Sequence, residues 1–133
     1  MIVDTSVLAA ILFDEPERRD LQGQLASSDR LAMSAGSWIE LAVVLTRKGR
    51  DDLVAISDRV VSTLSIRIAA VDRAQAEIAR NAYREFGRGS GHKAKLNSGD
   101  CFSYALSKAA GEPLLFKGDD FTHTDVLKVT SRT

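Results

Sequence analysis

Residues 1–13 read MIVDTSVLAAILF, a short apolar pair, one acid, two hydroxyl residues and then an apolar run. Ile2 and Val3 predict a brief strand, because β-branched residues suit a pleated, buried surface. Thr5 or Ser6 can cap the helix that follows, Val7 to Phe13, by accepting from its free backbone N–H groups. A strand that turns at once into a helix is the opening of an α/β fold. Asp4 sits at the carboxyl end of that strand, the edge at which open α/β sheets bind ligands. It is also the only ionisable side chain in the stretch. An ionised carboxylate left alone among apolar groups is costly unless it is paired or binds a cation.

Moving outward, the same pattern recurs. Between Arg30 and Arg47 the only charge is Glu40, set in SWIELAVVL; between Lys95 and Lys108 it is Asp100, set in LNSGDCFSYALS. Acids return at Asp119 and Asp120, directly after LLFKG. Isolated acids in separate segments point to convergence on one site. Clustered carboxylates repel one another, and a hard divalent cation such as Mg²⁺ or Mn²⁺ relieves that repulsion.

The remaining segments support an alternating architecture. Pro16 opens a helix to about Leu25, and Leu31 to Met33 form a strand. Ser34 or Ser37 caps a helix to Arg47, which Gly49 ends. Asp51 and Asp52 begin another helix, with Leu53, Ile56, Val60, Val61 and Leu64 near helical period. Ile66, Ile68 and Val71 mark a third strand. Asp72 caps a helix carrying Ala76, Ala79, Tyr83 and Phe86 on one face, with Ile78 and Ala82 beside them. Gly87 to Lys95 is a glycine-rich basic loop. Asn97 or Ser98 caps a helix from Asp100 to Ala110, ended by Gly111. Leu114 to Phe116 form a strand, Gly118 to Asp120 a turn, and Val126 to Val129 a last short strand. Short apolar strands between helices imply a mostly parallel sheet of four to five strands covered on both faces. Residues 1–133 are expected to form one such α/β domain.

With 133 residues, the chain is long enough for a proper core. Lys+Arg and Asp+Glu both total 18, so net charge supplies no general attraction to nucleic acid or membrane, and any such contact needs a local patch. Arg84, Arg88, His92, Lys93 and Lys95 provide one just before the segment that carries Asp100. A lone cysteine, Cys101, excludes an intramolecular disulfide and a cysteine-based zinc site. His92 and His123 have no partners at ligand spacing. Ser6 and Ser103 lack the strand–turn–helix setting of a hydrolase nucleophile, and no phosphate-binding loop or dinucleotide fingerprint is present. Without a leader-like N-terminus or an apolar run of membrane-spanning length, a cytoplasmic location is expected. Each acid also has a plain structural role open to it. Asp4 can cap the first helix, Glu40 can be a solvated helix residue, Asp100 can complete a capping box with Asn97, and Gly-Asp-Asp is good turn chemistry.

Taken together, MIVDTSVLAAIL, the glutamate in SWIELAVVL, LNSGDCFSYALSK and PLLFKGDDFTHTDV resemble PIN-domain proteins, specifically the VapC-type toxins of bacterial toxin–antitoxin pairs. The resemblance runs from Asp4 to Asp125. It implies an α/β/α sandwich and a Mg²⁺- or Mn²⁺-dependent ribonuclease that acts on RNA. It also implies a homodimer held in check by a VapB-type antitoxin. Carried over by position, Asp4, Glu40 and Asp100 take the three core acidic places, and Ser6 supports the metal shell. KGDDF departs from the commoner Thr-x-Asp pattern, with Gly118 where an acid is expected. Asp119 is then the favoured fourth acid and Asp120 the alternative. Asp4 and Asp100 would be the primary metal ligands, with Glu40 and Asp119 supporting the ion or holding a second one. Arg88, Lys93 and Lys95 would hold the RNA. The apolar faces around Leu21 to Leu25 and Leu53 to Leu64 would dock the antitoxin. The competing reading is a PIN-like module that grips RNA or protein without cutting. A phosphorylated receiver domain is remote, because it needs an acid pair where Asp4 stands alone.

Overall fold

The computed structural model describes residues 1–129, and among these it has a four-stranded sheet and six helices. β1 (Ile2–Val3) is followed by α1 (Thr5–Leu12) and α2 (Arg18–Ala26), then by β2 (Ala32–Ser34), α3 (Ala35–Arg47) and α4 (Asp52–Thr63). β3 (Arg67–Ala69), α5 (Arg73–Phe86), α6 (Ser98–Ala110) and β4 (Leu114–Leu115) complete the order. The strands lie in the order β3-β2-β1-β4, and all pairings are parallel. The chain therefore builds outward from β1 on one side and returns to its other side with β4. The reversal of strand order falls at β1, so Asp4, the next residue, stands at the topological switch point.

Side chains of successive strand residues face opposite ways, and the core divides accordingly. Ile2, Ala32 and Leu114 face a cluster with Ala82, Phe86, Leu96, Tyr104, Leu106 and Phe121, contributed largely by α5 and α6. Val3, Met33 and Leu115 face the other cluster, where α1 to α4 supply Val7, Leu8, Leu21, Leu25, Leu41, Leu45 and Leu53. Each fully buried Leu or Ile contributes about 1.5–3 kcal/mol relative to exposure, so both layers hold the short strands in register. This is the α/β/α sandwich expected from the alternation.

Local readings need several corrections. α1 begins at Thr5, earlier than expected, because Asp4 itself is the cap: its carboxylate accepts from Ser6 N at 3.0 Å. Pro16 occupies a turn, and α2 starts only at Arg18. Ser34, not Ser37, caps α3. The buried line of α5 runs through Gln75, Ile78, Ala79, Ala82 and Phe86, leaving Tyr83 43 % exposed on its edge. On α4, Ile56 is exposed, while Leu53 is buried. The last strand reduces to a single parallel bridge between Leu114 and Lys128. The segment after β4 is instead tied to α6: Tyr104 Oη donates to Asp125 at 2.6 Å, and Lys108 Nζ does so at 3.0 Å. No helix among the described residues is long and apolar enough to cross a membrane.

Candidate active site

Asp4 emerges from β1 almost fully buried, at 4 % exposure. Its Oδ2 takes the backbone N–H of Ser6, and its Oδ1 takes the hydroxyl of Ser103 on α6 at 2.5 Å. Ser103 in turn lies 2.9 Å from the hydroxyl of Ser37 on α3, and both serines are completely buried. Because Ser103 donates to the carboxylate, Ser37 must donate to Ser103. Thr5 Oγ1 closes the chain by donating to the carbonyl of Ser37 at 2.9 Å. Hydrogen bonds to an ionised acceptor are the stronger kind, so this run of hydroxyls orients Asp4 against both α3 and α6. Ser103 and Ser37 were not legible as site residues. Their signal was weak, small polar residues on otherwise buried helix faces.

Asp100 takes its place through the capping box anticipated for it. Its N–H donates to Asn97 Oδ1 at 2.8 Å, and its Oδ2 accepts from Asn97 N at 3.0 Å. The capping role thus falls on a candidate site acid, 6 % exposed. Burial pushes the Asp100 carboxyl up to about 7, and the charges of Asp4, Asp120 and Glu40 add to the rise against the pull of the Asn97 N–H. Glu40, half-buried on α3, is raised for the same first reason, burial, with Asp4 and Asp120 adding repulsion and the Thr5 hydroxyl opposing it.

Glu40 and Asp100 thus both feel the charges of Asp4 and Asp120. Asp119 is not among the charges acting on Glu40 and Asp100, although Asp119 and Asp120 both line the adjoining cleft. Both are exposed on the turn after β4. Ser6 fixes that turn, since its Oγ accepts from Lys117 N at 3.0 Å. Lys117 Nζ is held by Glu15 and also lies near Glu17, so the turn between α1 and α2 is pinned to the acid-bearing loop.

Arg88, Lys93 and Lys95 are exposed, and with Ala94, His123, Asp119 and Asp120 they line one cleft of about 440 Å³. The basic loop is closed at its base, where Leu96 N donates to Phe86 O and Arg88 N to Leu96 O, each at 2.9 Å. His92 packs edge-on against Phe86, and its Nδ1 accepts from Ala94 N at 3.0 Å. His123 joins the cleft although its sequence setting offered no sign of it. Cys101 is buried, and burial beside the Asp100 charge pushes its thiol up to about 11, so it stays protonated as a small hydrophobe.

The donors fit a hard divalent cation. Among the described residues, no Lys, Arg or His forms an ion pair with Asp4, Glu40, Asp100 or Asp120. Among the described residues, no three acidic, histidine or cysteine side chains lie close enough together to form a metal-ligand group. Oxygen donors of this kind suit Mg²⁺ or Mn²⁺ rather than zinc.

Comparison with known proteins places the chain in a family. A family model for the PIN domain matches residues 1–127, and the chain belongs to the PIN-domain family. Within that family it falls among the VapC ribonucleases. Ribonuclease VapC42 of Mycobacterium tuberculosis is 48 % identical over 126 residues, covering 95 % of this chain and 96 % of its own. A ribonuclease VapC of Mycolicibacterium smegmatis is 46 % identical over 129 residues, covering 97 % and 99 %. The crystal structure of M. tuberculosis VapC20, described as a sarcin–ricin loop cleaving toxin, superposes with a TM-score of 0.75 at 18 % identity over 96 % of this chain and 97 % of that one. A chain of a toxin–antitoxin complex from Klebsiella pneumoniae gives 0.67 at 22 % identity, covering 98 % and 97 %. At those identities the two structures bear on the fold alone.

Proposed function

We propose that this chain is a divalent-metal-dependent endoribonuclease and the toxin of a toxin–antitoxin pair. One observation carries the reading: buried acids that pair with no cationic side chain among the described residues open beside a cleft lined by Arg88, Lys93 and Lys95. Asp4 and Asp100 would hold Mg²⁺ or Mn²⁺, with Glu40 beside them. We assign the fourth acidic place to Asp120, because it reaches both Glu40 and Asp100 electrostatically. Asp119 would then meet substrate at the rim of the cleft. When bound, the ion supplies a nucleophile at neutral pH and stabilises charge on the scissile phosphate.

The protein's own part is positioning. Ser103, Ser37 and Thr5 hold Asp4, and Asn97 holds Asp100. Ser6 keeps the loop of Asp119 and Asp120 against α1. The basic loop draws the RNA backbone toward the acids, which would otherwise repel it.

A cognate VapB-type antitoxin is the expected partner. The groove between α1, α2 and α4, lined by Ile11, Leu25, Ile56, Val60 and Leu64, suits the apolar side of its helix. An Arg or Lys of the antitoxin placed among Asp4, Glu40 and Asp100 would relieve the same repulsion that the metal does. For a homodimer, the exposed row Trp38, Ile39 and Val43 on α3 offers an apolar face.

The test is incubation of the purified protein with total RNA, with Mn²⁺ or with chelator, followed by mapping of cut ends. Metal-dependent cutting that is lost in Asp4→Asn supports the assignment. Tight RNA binding without any cutting would favour the non-catalytic module instead.

A further inference from the structure

Helices α3 and α6 meet through two complementary notches. Gly36 of α3 faces Phe102 of α6, and a Cβ at position 36 would overlap the phenyl ring. Gly99 of α6 faces Glu40 of α3, and a Cβ at position 99 would coincide with Glu40 Oε2. Between the two notches lies the Ser37–Ser103 hydroxyl pair. Neither glycine has a positive φ, so the requirement is for space and not for backbone conformation. The two differ in what fills them: a ring packed between helices at position 36, and the far end of a flexible charged side chain at position 99.

We propose that Gly99 is a positioning residue for the acidic cluster, its missing side chain being the seat of the Glu40 carboxylate beside Asp100. The proposal rests on the ribonuclease reading and adds a residue that carries no chemical group at all. A methyl group at position 99 meets the Glu40 carboxylate first, since its three nearest neighbours are all atoms of that group, and a carboxylate end can rotate away at little cost to packing. Position 36 behaves in the opposite way. There the nearest atoms are the root and ring of Phe102, which lack the freedom of a carboxylate end, so an added methyl is expected to strain the contact between the helices.

The experiment compares Gly99→Ala, Gly36→Ala, Glu40→Ala and the double variant Gly99→Ala/Glu40→Ala. Each full-length, metal-stripped protein is titrated with Mn²⁺ by calorimetry, melted, and assayed on RNA. Gly99→Ala is expected to melt no lower than wild type yet to bind Mn²⁺ about 10–100-fold more weakly, the usual scale for losing a supporting group at a metal site. Gly36→Ala is expected to lower Tm. The double variant should match Glu40→Ala in Mn²⁺ affinity and melt no lower than it, because with the carboxylate gone nothing remains to displace and alanine is the better helix former. Should Gly99→Ala melt lower than wild type, recovery of the Glu40→Ala Tm in the double variant still locates the clash on Glu40, and failure to recover overturns the proposal. Wild-type Mn²⁺ affinity in Gly99→Ala, with Glu40→Ala impaired, overturns it as well. Wild-type affinity and cleavage in Glu40→Ala would overturn the role given to Glu40, and the seat with it.

Discussion

Asp4 and Asp100 are 4 % and 6 % exposed, each tied by side-chain or backbone donors to a strand end or a helix start. Arg88, Lys93, Lys95, Asp119 and Asp120 are all exposed, on a loop and a turn that face each other across one cleft. The contrast assigns the two halves different work. Charges held in a poorly solvated place interact strongly and depend on angstrom-scale geometry, which is what a metal ion demands. Charges in water are screened over about 10 Å at ordinary salt, so they steer and hold a polyanion without needing one fixed geometry. Changes in the buried half should therefore act nearly all-or-none, and changes in the exposed half should act by degrees.

The sharpest way to break the comparison is Asp4→Asn or Asp100→Asn. Either is expected to reduce metal-dependent cleavage to background in a single-turnover assay. The metal-free Tm of Asp100→Asn should be unchanged or raised because one repelling charge is gone, whereas Asp4→Asn offsets that relief by losing one of the two hydrogen bonds its carboxylate accepts. Wild-type cutting by either variant would dissolve the buried half as a metal site.

Next in size is the response to pH. The Asp100 carboxyl is raised in the folded state from 3.8 to about 7, so between those values the native state binds more protons than the unfolded chain. Stability of the metal-free protein then falls as pH rises through that window, by up to about 4 kcal/mol if the group titrates alone and by less where the acids share protons. Melting in chelator from pH 5 to pH 8 should show Tm declining. Adding Mn²⁺ at pH 8 should restore it, since a ligand of the native state stabilises it. A Tm that climbs over the same range contradicts the buried repulsion.

Ser103→Ala tests the hydroxyl chain. It removes the donor to Asp4 Oδ1 and leaves Ser37 without its acceptor in a fully buried place. A loss of about 1–3 kcal/mol in urea unfolding is expected, together with a fall in cleavage of about 10–100-fold. Unchanged cleavage at reduced stability would make the chain structural only.

The mildest effect belongs to the exposed half. Neutralising Arg88, Lys93 and Lys95 together should lower the slope of log K against log salt by roughly 0.7 for every phosphate that the loop no longer neutralises. Mn²⁺ affinity should remain at the wild-type value. An unaltered slope would return this loop to an ordinary solvated surface.

How much of this was legible depended on whether the signal was local. Asp72 and Asn97 read as caps because an N-cap contact spans only three residues. For Asp4 the sequence offers both a site acid and a helix cap, with Thr5 or Ser6 as rival caps, and its carboxylate is the one that caps. Two roles in one side chain leave a single letter in the sequence. On α5, the apolar period placed Tyr83 on the inner face, but the covering α6 leaves room only for the line from Gln75 to Phe86. A helix shows its apolar residues without showing where its neighbour ends.

By itself, then, the sequence determined the strands and helices, the parallel order of a two-sided sheet, and the isolation of Asp4, Glu40 and Asp100. These follow from period, capping and the cost of burying a lone charge, all of which act over a few residues. Only the tertiary structure decided that Ser37 lies against Ser103, 66 residues away, and Ser103 against Asp4, 99 residues away. It alone decided that the charge of Asp120, on the turn that also carries Asp119, is felt by Glu40 and Asp100, and that Gly99 leaves room for Glu40. The physical reason is that the depth and angle at which α3 crosses α6 arise from packing summed over both cores, which no local window of sequence contains.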